Sequence, residues 1–503
     1  MKSIYRYIFP VLTTIIVLAS CAKEPVLEQN GSLPQEEGSR IIAVSFASQS
    51  ATKTALGDDG LTPEFVDGDE IFLCAKSDNP EEVRKEVCRV KVDKAGNAAI
   101  ITHLTGDLTA FYPANAVEFF EKRNDFGIGV KQGQSGKFAD ANICKATIAT
   151  NESTAQFKNQ YALFVITPPE GTQKLTIKSL PTIGDGGQRT GQKEFVNNLA
   201  EGEGVYYLTV DNLDATDNTY FVALLDGVNL SDLSFEADFG TEGAGSIKGL
   251  PTSVIAAQAA AEGKNFEDYN KVTAGTAYTI TADNWHPYVT VAGHKWATMN
   301  VGAESVEDTG DYFAWGEVKG HMFSQSDKTF TEDFKNFDFS DPRYTNPKKG
   351  TVYNFYTVNA PYVSTDASPS SYPEYPGGAT LRLMDDAAFA NWGGSWRIPT
   401  KAEFEELLKV GCSKGTTYFE FGTNLKVRFG LFGRGWYGVS SQFEHYNDWG
   451  VYWSSSLDEA STGNQQAFTL FYSNSAQTYS SPRACGFNVR AIIDEPVTVI
   501  PNK

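Results

Sequence analysis

The side chains that do most protein chemistry are sparse in this chain and poorly spaced for it. Cysteines stand at Cys21, Cys74, Cys88, Cys144, Cys412 and Cys485; no two form a CxxC pair, so no metal site is expected. The five histidines (His103, His286, His294, His321 and His445) are scattered, and there is no HExxH to set two ring nitrogens on one helix face. The GxSxG turn that lifts a nucleophilic serine out of a sheet is also missing. Thr182 to Lys193 reads TIGDGGQRTGQK, but a phosphate-cradling loop must end in Gly-Lys-Ser/Thr, and Gln192 breaks that ending. Asp385 and Asp386 are adjacent, so their carboxylates diverge and suit a helix start better than an acid/base pair. Catalytic residues and cofactors are therefore expected to be none. The chemistry that remains is contact chemistry. From Trp436 to Tyr479 the chain is rich in Tyr, Ser, Asn, Trp and Phe, including Tyr437, Phe443, His445 and Trp449. Rigid aromatics interleaved with Ser and Asn give large contact area at low entropy cost, with adaptable hydrogen bonds. The ligand-binding residues expected from this stretch are Tyr446, Asn447, Asp448, Tyr472, Asn474 and Tyr479. Trp396, Trp453 and Phe468 are expected to be core.

A scaffold must hold such a surface. Its anchor is GGSWRIPTKAEFEEL, Gly393 to Leu407. Thr400 is a good N-cap with Glu403 three residues on, and Phe404, Leu407 and Leu408 then share a helical face. Before it, from Ile42 to about 284, the chain reads as strands separated by Gly, Asn and Asp turns, opening on the alternation Ile42, Val44, Phe46. One helix is expected at Ser253 to Glu262, closed by Gly263. All eight Trp residues lie at 285 or later, which marks a composition boundary near Trp285. The polar stretch Asn151 to Gln156 marks another. The expected division is a targeting segment (1–20), a polar tether (21–40), two β domains (41–152 and 153–284) and a C-terminal α+β domain (286–494).

The charge of −20 argues against nucleic acid or an anionic membrane surface as partner. At the N-terminus, Lys2 and Arg6 precede the apolar run Ile8 to Leu18, too short to span a bilayer comfortably. Leu18-Ala19-Ser20-Cys21 resembles a bacterial lipobox, whose rule is cleavage before Cys21 and lipidation of its sulfur. A plain signal peptide with an incidental Cys is the alternative. Lipidation would anchor the chain to a membrane without a spanning helix. An extracytoplasmic chain permits disulfides, and both a Cys412–Cys485 bridge and free buried thiols fit.

Six separated motifs occur in order: GDYFAWGE (310–317), DDAAFANWGGSW (385–396), the capped helix, GRGWYG (433–438), YWSSS (452–456) and GFNVRAI (486–492). Together they resemble the Fibrobacter succinogenes major paralogous domain, which is related to C-type-lectin-like folds and more distantly to formylglycine-generating enzymes. The resemblance covers roughly 286 to 494 and implies a compact α+β module that displays a ligand-binding surface. The calcium triplets of sugar-binding lectins are missing, and Cys485 lacks the second cysteine that formylglycine chemistry uses. Some relatives of this fold are diversified by retroelements that mutate adenines, and the Tyr/Asn/Ser-rich stretch fits that pattern. The N-terminal part resembles fimbrillin-like lipoproteins through the lipobox, Thr52-Lys53-Thr54 after the first strand, FVDGDEIFL (65–73) and NQYALFVI (159–166). That resemblance implies all-β sandwich domains that assemble with other pilus subunits by strand exchange. Removal of an N-terminal strand after an Arg opens the accepting groove, and Arg40 is the expected processing residue. A chain whose end is a folded module could still accept a strand, which would place it at a pilus tip, on the outer membrane or cell surface. The expectation is a lipid-anchored tip adhesin that binds an extracellular glycan or protein. A monomeric glycan-capture lipoprotein and a formylglycine-type enzyme are the alternatives.

Overall fold

The computed structural model describes residues 38–47, 55–56, 63–75, 87–94, 97–120, 125–131, 133–180, 207–210, 219–224, 226–241, 243–321, 323–324, 329–330, 345–346, 351–352, 379–436, 443–461, 466–483 and 485–494. Cys21, the tether up to residue 37, Lys53, the 182–193 turn and Tyr437 lie outside them.

Alternation of apolar and polar residues builds the first sheet. Its strands are β1 (Arg40–Phe46), β2 (Glu70–Ala75), β3 (Val87–Lys91), β4 (Ala99–Thr102), β5 (Leu108–Tyr112), then, past the short β6 (Gly133–Gln134), β7 (Cys144–Ile148) and β8 (Thr154–Asn159). The spatial order is β3-β2-β5-β7-β8-β1-β4. β1 lies parallel to β8 and antiparallel to β4, with Ala43 opposite both Thr154 and Ala99. Ile42 and Val44 face a core with Leu73, Tyr112 and Phe157. Because β8 pairs with β7 and β1, this sheet closes after Asn159, not at 152.

The next strands are β9 (Ala162–Ile166), β10 (Lys174–Ser179), β11 (Tyr207–Val210), β12 (Tyr220–Leu224), β13 (Leu233–Asp238) and β14 (Ala244–Gly249). Helix α1 (Thr252–Ala261) follows, and Gly263 beyond it takes φ +67°. β15 is Ala277–Ile280. β12-β9-β15 form a three-stranded sheet. Phe164 and Tyr278 on it meet Phe235 of β13 in one core, to which Phe72 and Phe111 of the first sheet also belong.

The chain then forms β16 (His286–Val291), β17 (His294–Ala297), β18 (Tyr312–Phe313), α2 (Ala387–Trp392), β19 (Trp396–Arg397), α3 (Lys401–Lys409), β20 (Cys412–Lys414), β21 (Tyr418–Phe421) and β22 (Val427–Gly430). It ends with β23 (Arg434–Trp436), β24 (Phe443–Glu444), β25 (Gly450–Leu457), β26 (Gln466–Tyr472), β27 (Ala476–Pro482), β28 (Cys485–Asn488) and β29 (Ile492–Ile493). A sheet ordered β24-β23-β28-β25-β26-β27 carries β18 on β28. The expected boundary at 285 falls inside another, nine-stranded sheet, ordered β6-β11-β10-β13-β14-β16-β17-β29-β19. β16 hydrogen-bonds to β14 across that boundary, with Ile247 opposite His286. Among the described residues, no helix is long and apolar enough to cross a membrane.

Candidate binding surface

The motifs singled out from the sequence meet in one body. Trp315 donates its indole N–H to the Ser454 carbonyl at 2.8 Å, and Trp453 donates to the Phe313 carbonyl at 2.7 Å. Asn488 donates to the Thr309 and Asp311 carbonyls, and buried Arg490 holds Asn300 Oδ1 and the Ala297 carbonyl. These bonds satisfy polar groups that burial would otherwise leave at a cost of about 1–3 kcal/mol each. They also lock the 310–317, 452–456 and 486–492 segments together.

Asp386 is the helix start foreseen in the sequence. Its Oδ1 accepts from the Ala388 and Phe389 amides, and its Oδ2 accepts from the Ile398 amide at 2.7 Å. One carboxylate thus caps α2 and ties it to the segment entering α3. Burial raises this carboxyl to about 6, with the amide donors and the Arg397 charge acting in the opposite direction. Thr400 and Glu403 form a complete capping box. Arg397 grips Glu403 through two nitrogens. Burial alone would raise the Glu403 carboxyl; the Arg397 bonds and charge, with Thr400, outweigh it and lower it. Phe404 and Leu407 then pack against Trp296, Phe419 and Leu470. Trp396 and Trp453 are core at 0 % and 1 % exposure. Phe468 is not: it is half-buried, with the Lys401 ammonium 4.3 Å from its ring centroid.

On this frame sits a tight loop from His445 to Trp449. His445 and Asn447 both take left-handed backbone, at φ 60° and 63°. The loop is pinned by Asn447 N–H to the Leu431 carbonyl (2.7 Å), by the Asp448 and Trp449 amides to the His445 carbonyl, and by Gly433 N–H to the Trp449 carbonyl. It runs into β25, where Gly450 lies opposite Tyr472, and Tyr472 lies opposite Ala476. The turn holding Asn474 is therefore at the same end of the sheet as Asn447 and Asp448.

Of the six expected ligand residues, Asn447, Asp448, Asn474 and Tyr479 are exposed, and Tyr446 is half-buried near Phe432. Tyr479 is 56 % exposed, a high value for a large apolar side chain. Tyr472 is corrected: it is 5 % exposed and stacks on Phe419 at 4.6 Å. Period-two alternation explains this, since Leu470 and Tyr472 share the face packed under α3 and Phe471 takes the opposite one. Phe471, half-buried on the face that Val451 and Trp453 turn into the core, meets Trp449 at 5.2 Å and Tyr479 at 5.8 Å. Trp449 also stacks on His445 at 3.5 Å, with the Arg434 guanidinium 5.0 Å from its ring. Sequence reasoning named His445 and Trp449 in this stretch without placing them among the six, and it did not name Phe471 or Arg434 as contact residues; counting alternation outward from Leu470 would have found Phe471.

Arg40, the expected processing residue, opens β1 and donates to the Gly106, Ala149 and Glu152 carbonyls. A cut after Arg40 would leave Ile41 to Phe46 in the sheet, so it could not by itself open the groove between β8 and β4. Cys412 is exposed and Cys485 buried, and no disulfide joins them.

No protein-family model matches this chain. No curated protein matches it either. Among solved structures, a candidate cell adhesion protein of Bacteroides uniformis superposes on 50% of this chain and 96% of its own, at 12% identity and a TM-score of 0.28. A fimbrial protein of Bacteroides ovatus covers 92% of this chain and 100% of its own, at 12% identity and TM-score 0.24. The tip fimbrial protein Mfa3 of Porphyromonas gingivalis, with its C-terminus truncated, covers 40% and 77%, at 6% identity and TM-score 0.19. TM-scores this low carry no argument for fold or role, so the chain's own residues must supply it.

Proposed function

We propose that this chain is a lipid-anchored surface adhesin of the fimbrillin-like type, acting at a pilus tip. It binds an extracellular ligand through the C-terminal region. The observation that carries the binding part is the pinned His445–Trp449 loop beside exposed Tyr479. Asn and His adopt left-handed backbone more readily than most side chains, and the hydrogen bonds of the loop hold His445 and Asn447 there. The lipid anchor rests on Leu18-Ala19-Ser20-Cys21.

The test uses the full chain displayed on cells. Replacing Asp448 and Tyr479 by Ala and the left-handed Asn447 by Gly, all together, should abolish adherence while changing stability by no more than about 0.5 kcal/mol per exposed site. Unchanged adherence in a folded triple variant would remove the site. Fatty-acid labelling that survives Cys21→Ala would remove the anchor.

A further inference from the structure

We propose that the edge of the β25–β26–β27 sheet, where Trp449, Phe471 and Tyr479 emerge beside the core entered by Val451 and Trp453, is a glycan-binding platform with Asp448, Asn447 and Gln477 at its rim. This rests on the adhesin reading and names the class of its ligand. The register places the parts. Val451 lies opposite Phe471, and Phe471 lies opposite Gln477, so these side chains share one face. Tyr479 is the diagonal neighbour of Phe471 on that face, at a ring separation of 5.8 Å. Trp449, one step before β25, meets the other side of the row through Phe471 at 5.2 Å. The outcome is a row of rings that becomes more exposed from Trp449 toward Tyr479.

The rim is hydrogen-bonding. Asn447, Asp448, Asn474 and Gln477 are all exposed. Asp448 offers a carboxylate 63 % exposed. A pyranose ring has the complementary character: a flat face of C–H groups for an aromatic ring, and a rim of hydroxyls for amides and a carboxylate. A carboxylate with two acceptor oxygens suits two neighbouring hydroxyls. A folded protein partner would need a wider apolar centre to desolvate, whereas among the described residues Tyr479 is the one strongly exposed large apolar side chain here. Asp448, 3.4 Å from His445 Nδ1, and the chain's charge of −20 weigh against an acidic ligand, while the Arg434 guanidinium is engaged over the Trp449 ring. The occupant that fits is therefore a neutral glycan. The loop is held by its own hydrogen bonds to Leu431, Gly433 and His445 and by the Trp449–His445 stack. Binding would then forfeit little ordering entropy.

The test is a glycan array of neutral and sialylated structures probed with the full chain, followed by adherence to cells before and after periodate strong enough to cleave the ring diols of neutral sugars, with a mild treatment that oxidises only sialic-acid side chains as the control that should leave adherence intact. Neutral structures should bind, and the strong periodate should abolish adherence. Tyr479→Ala should weaken binding at least about tenfold, the weight of an anchoring aromatic. Tyr479→Phe keeps the ring and should stay within about threefold. Adherence that survives the strong periodate and depends on Tyr479 would overturn the glycan class and leave the adhesin reading standing. No adherence and no array signal with folded protein would overturn both.

Discussion

Two tyrosines seven residues apart show what a residue type does and does not reveal. Tyr472 and Tyr479 sit in the same Ser/Asn-rich context, yet one is core and the other is 56 % exposed. Both faces of the sheet are covered, by α3 on one side and by the core of Val451 and Trp453 on the other; Tyr472 lies under α3 and Tyr479 on the edge strand β27, and no local pattern contains that. Asp386 was more legible, since a helix cap is a local device. Its energetics were not, because they come from a third amide, Ile398, across the chain. Asp386→Ala would strand three buried N–H donors and remove a cap. A loss of about 2–4 kcal/mol in chemical denaturation is expected. The pH dependence carries its own sign. The folded carboxyl titrates near 6 against about 3.9 unfolded. The folded state therefore binds more protons between those values, and this group's contribution declines as pH rises from about 4 to 6. Asp311, also raised to about 6 by burial, acts in the same direction. Glu403, lowered, acts oppositely and loses its contribution on acidification. Asp386→Ala should therefore flatten the decline between pH 4 and 6; an unchanged slope would show that the titrating group lies elsewhere.

At the scale of elements, α3 was readable to its cap and β29 was not readable at all. A capping box spans four residues, so Thr400 and Glu403 announce it. β29 is two residues long and owes its place to β17 and β19, whose pairing partners lie far off in sequence. The same split separates α1, foreseen within a residue of its observed Thr252–Ala261, from β1, whose parallel pairing with β8 nothing nearby specifies. Thr400 is the informative probe because α3 roofs the face opposite the platform. Thr400→Ala removes the Oγ1 acceptor of the Glu403 amide and should cost about 1 kcal/mol. Ligand binding should be unaffected, since α3 touches Leu470 and not Phe471's face. A binding loss that exceeds the stability loss would mean that α3 transmits to the platform. Thr400→Ser should restore stability.

At the scale of the whole molecule, the tryptophan shift at 285 led to the expectation of two parts that fold apart. The shift is real, but it marks a change in core composition within one sheet. Strand β14 supplies Ile247 to the core that holds Trp396 and Trp453. Glu236 of β13 receives Lys178 at 2.7 Å from one side and Lys295 at 2.8 Å from the other, and it accepts from the Tyr288 hydroxyl. Burial would raise that carboxyl; the two lysines outweigh it and hold it at about 2. Ser234 and Ser395 hydrogen-bond at 2.9 Å. Gly249 lies so close to the Gly393–Gly394 backbone that a Cβ would come within 2.2 Å of Gly393 C. Removing residues up to 285 would strip β16 of its partner, expose Ile247's contacts to water and leave Lys295 unpaired by Glu236. The 286–503 fragment should therefore unfold well below the intact chain and associate through the bare edge of β16. Gly249→Val tests the junction without a deletion, because the clash is with backbone that cannot rotate away. It should lower the unfolding temperature of the second β region and the C-terminal region together, read by hydrogen exchange at β13 and at α3. Protection lost on one side alone, or a fragment that melts as high as the intact chain, would mean that the sheet joins two independently stable bodies.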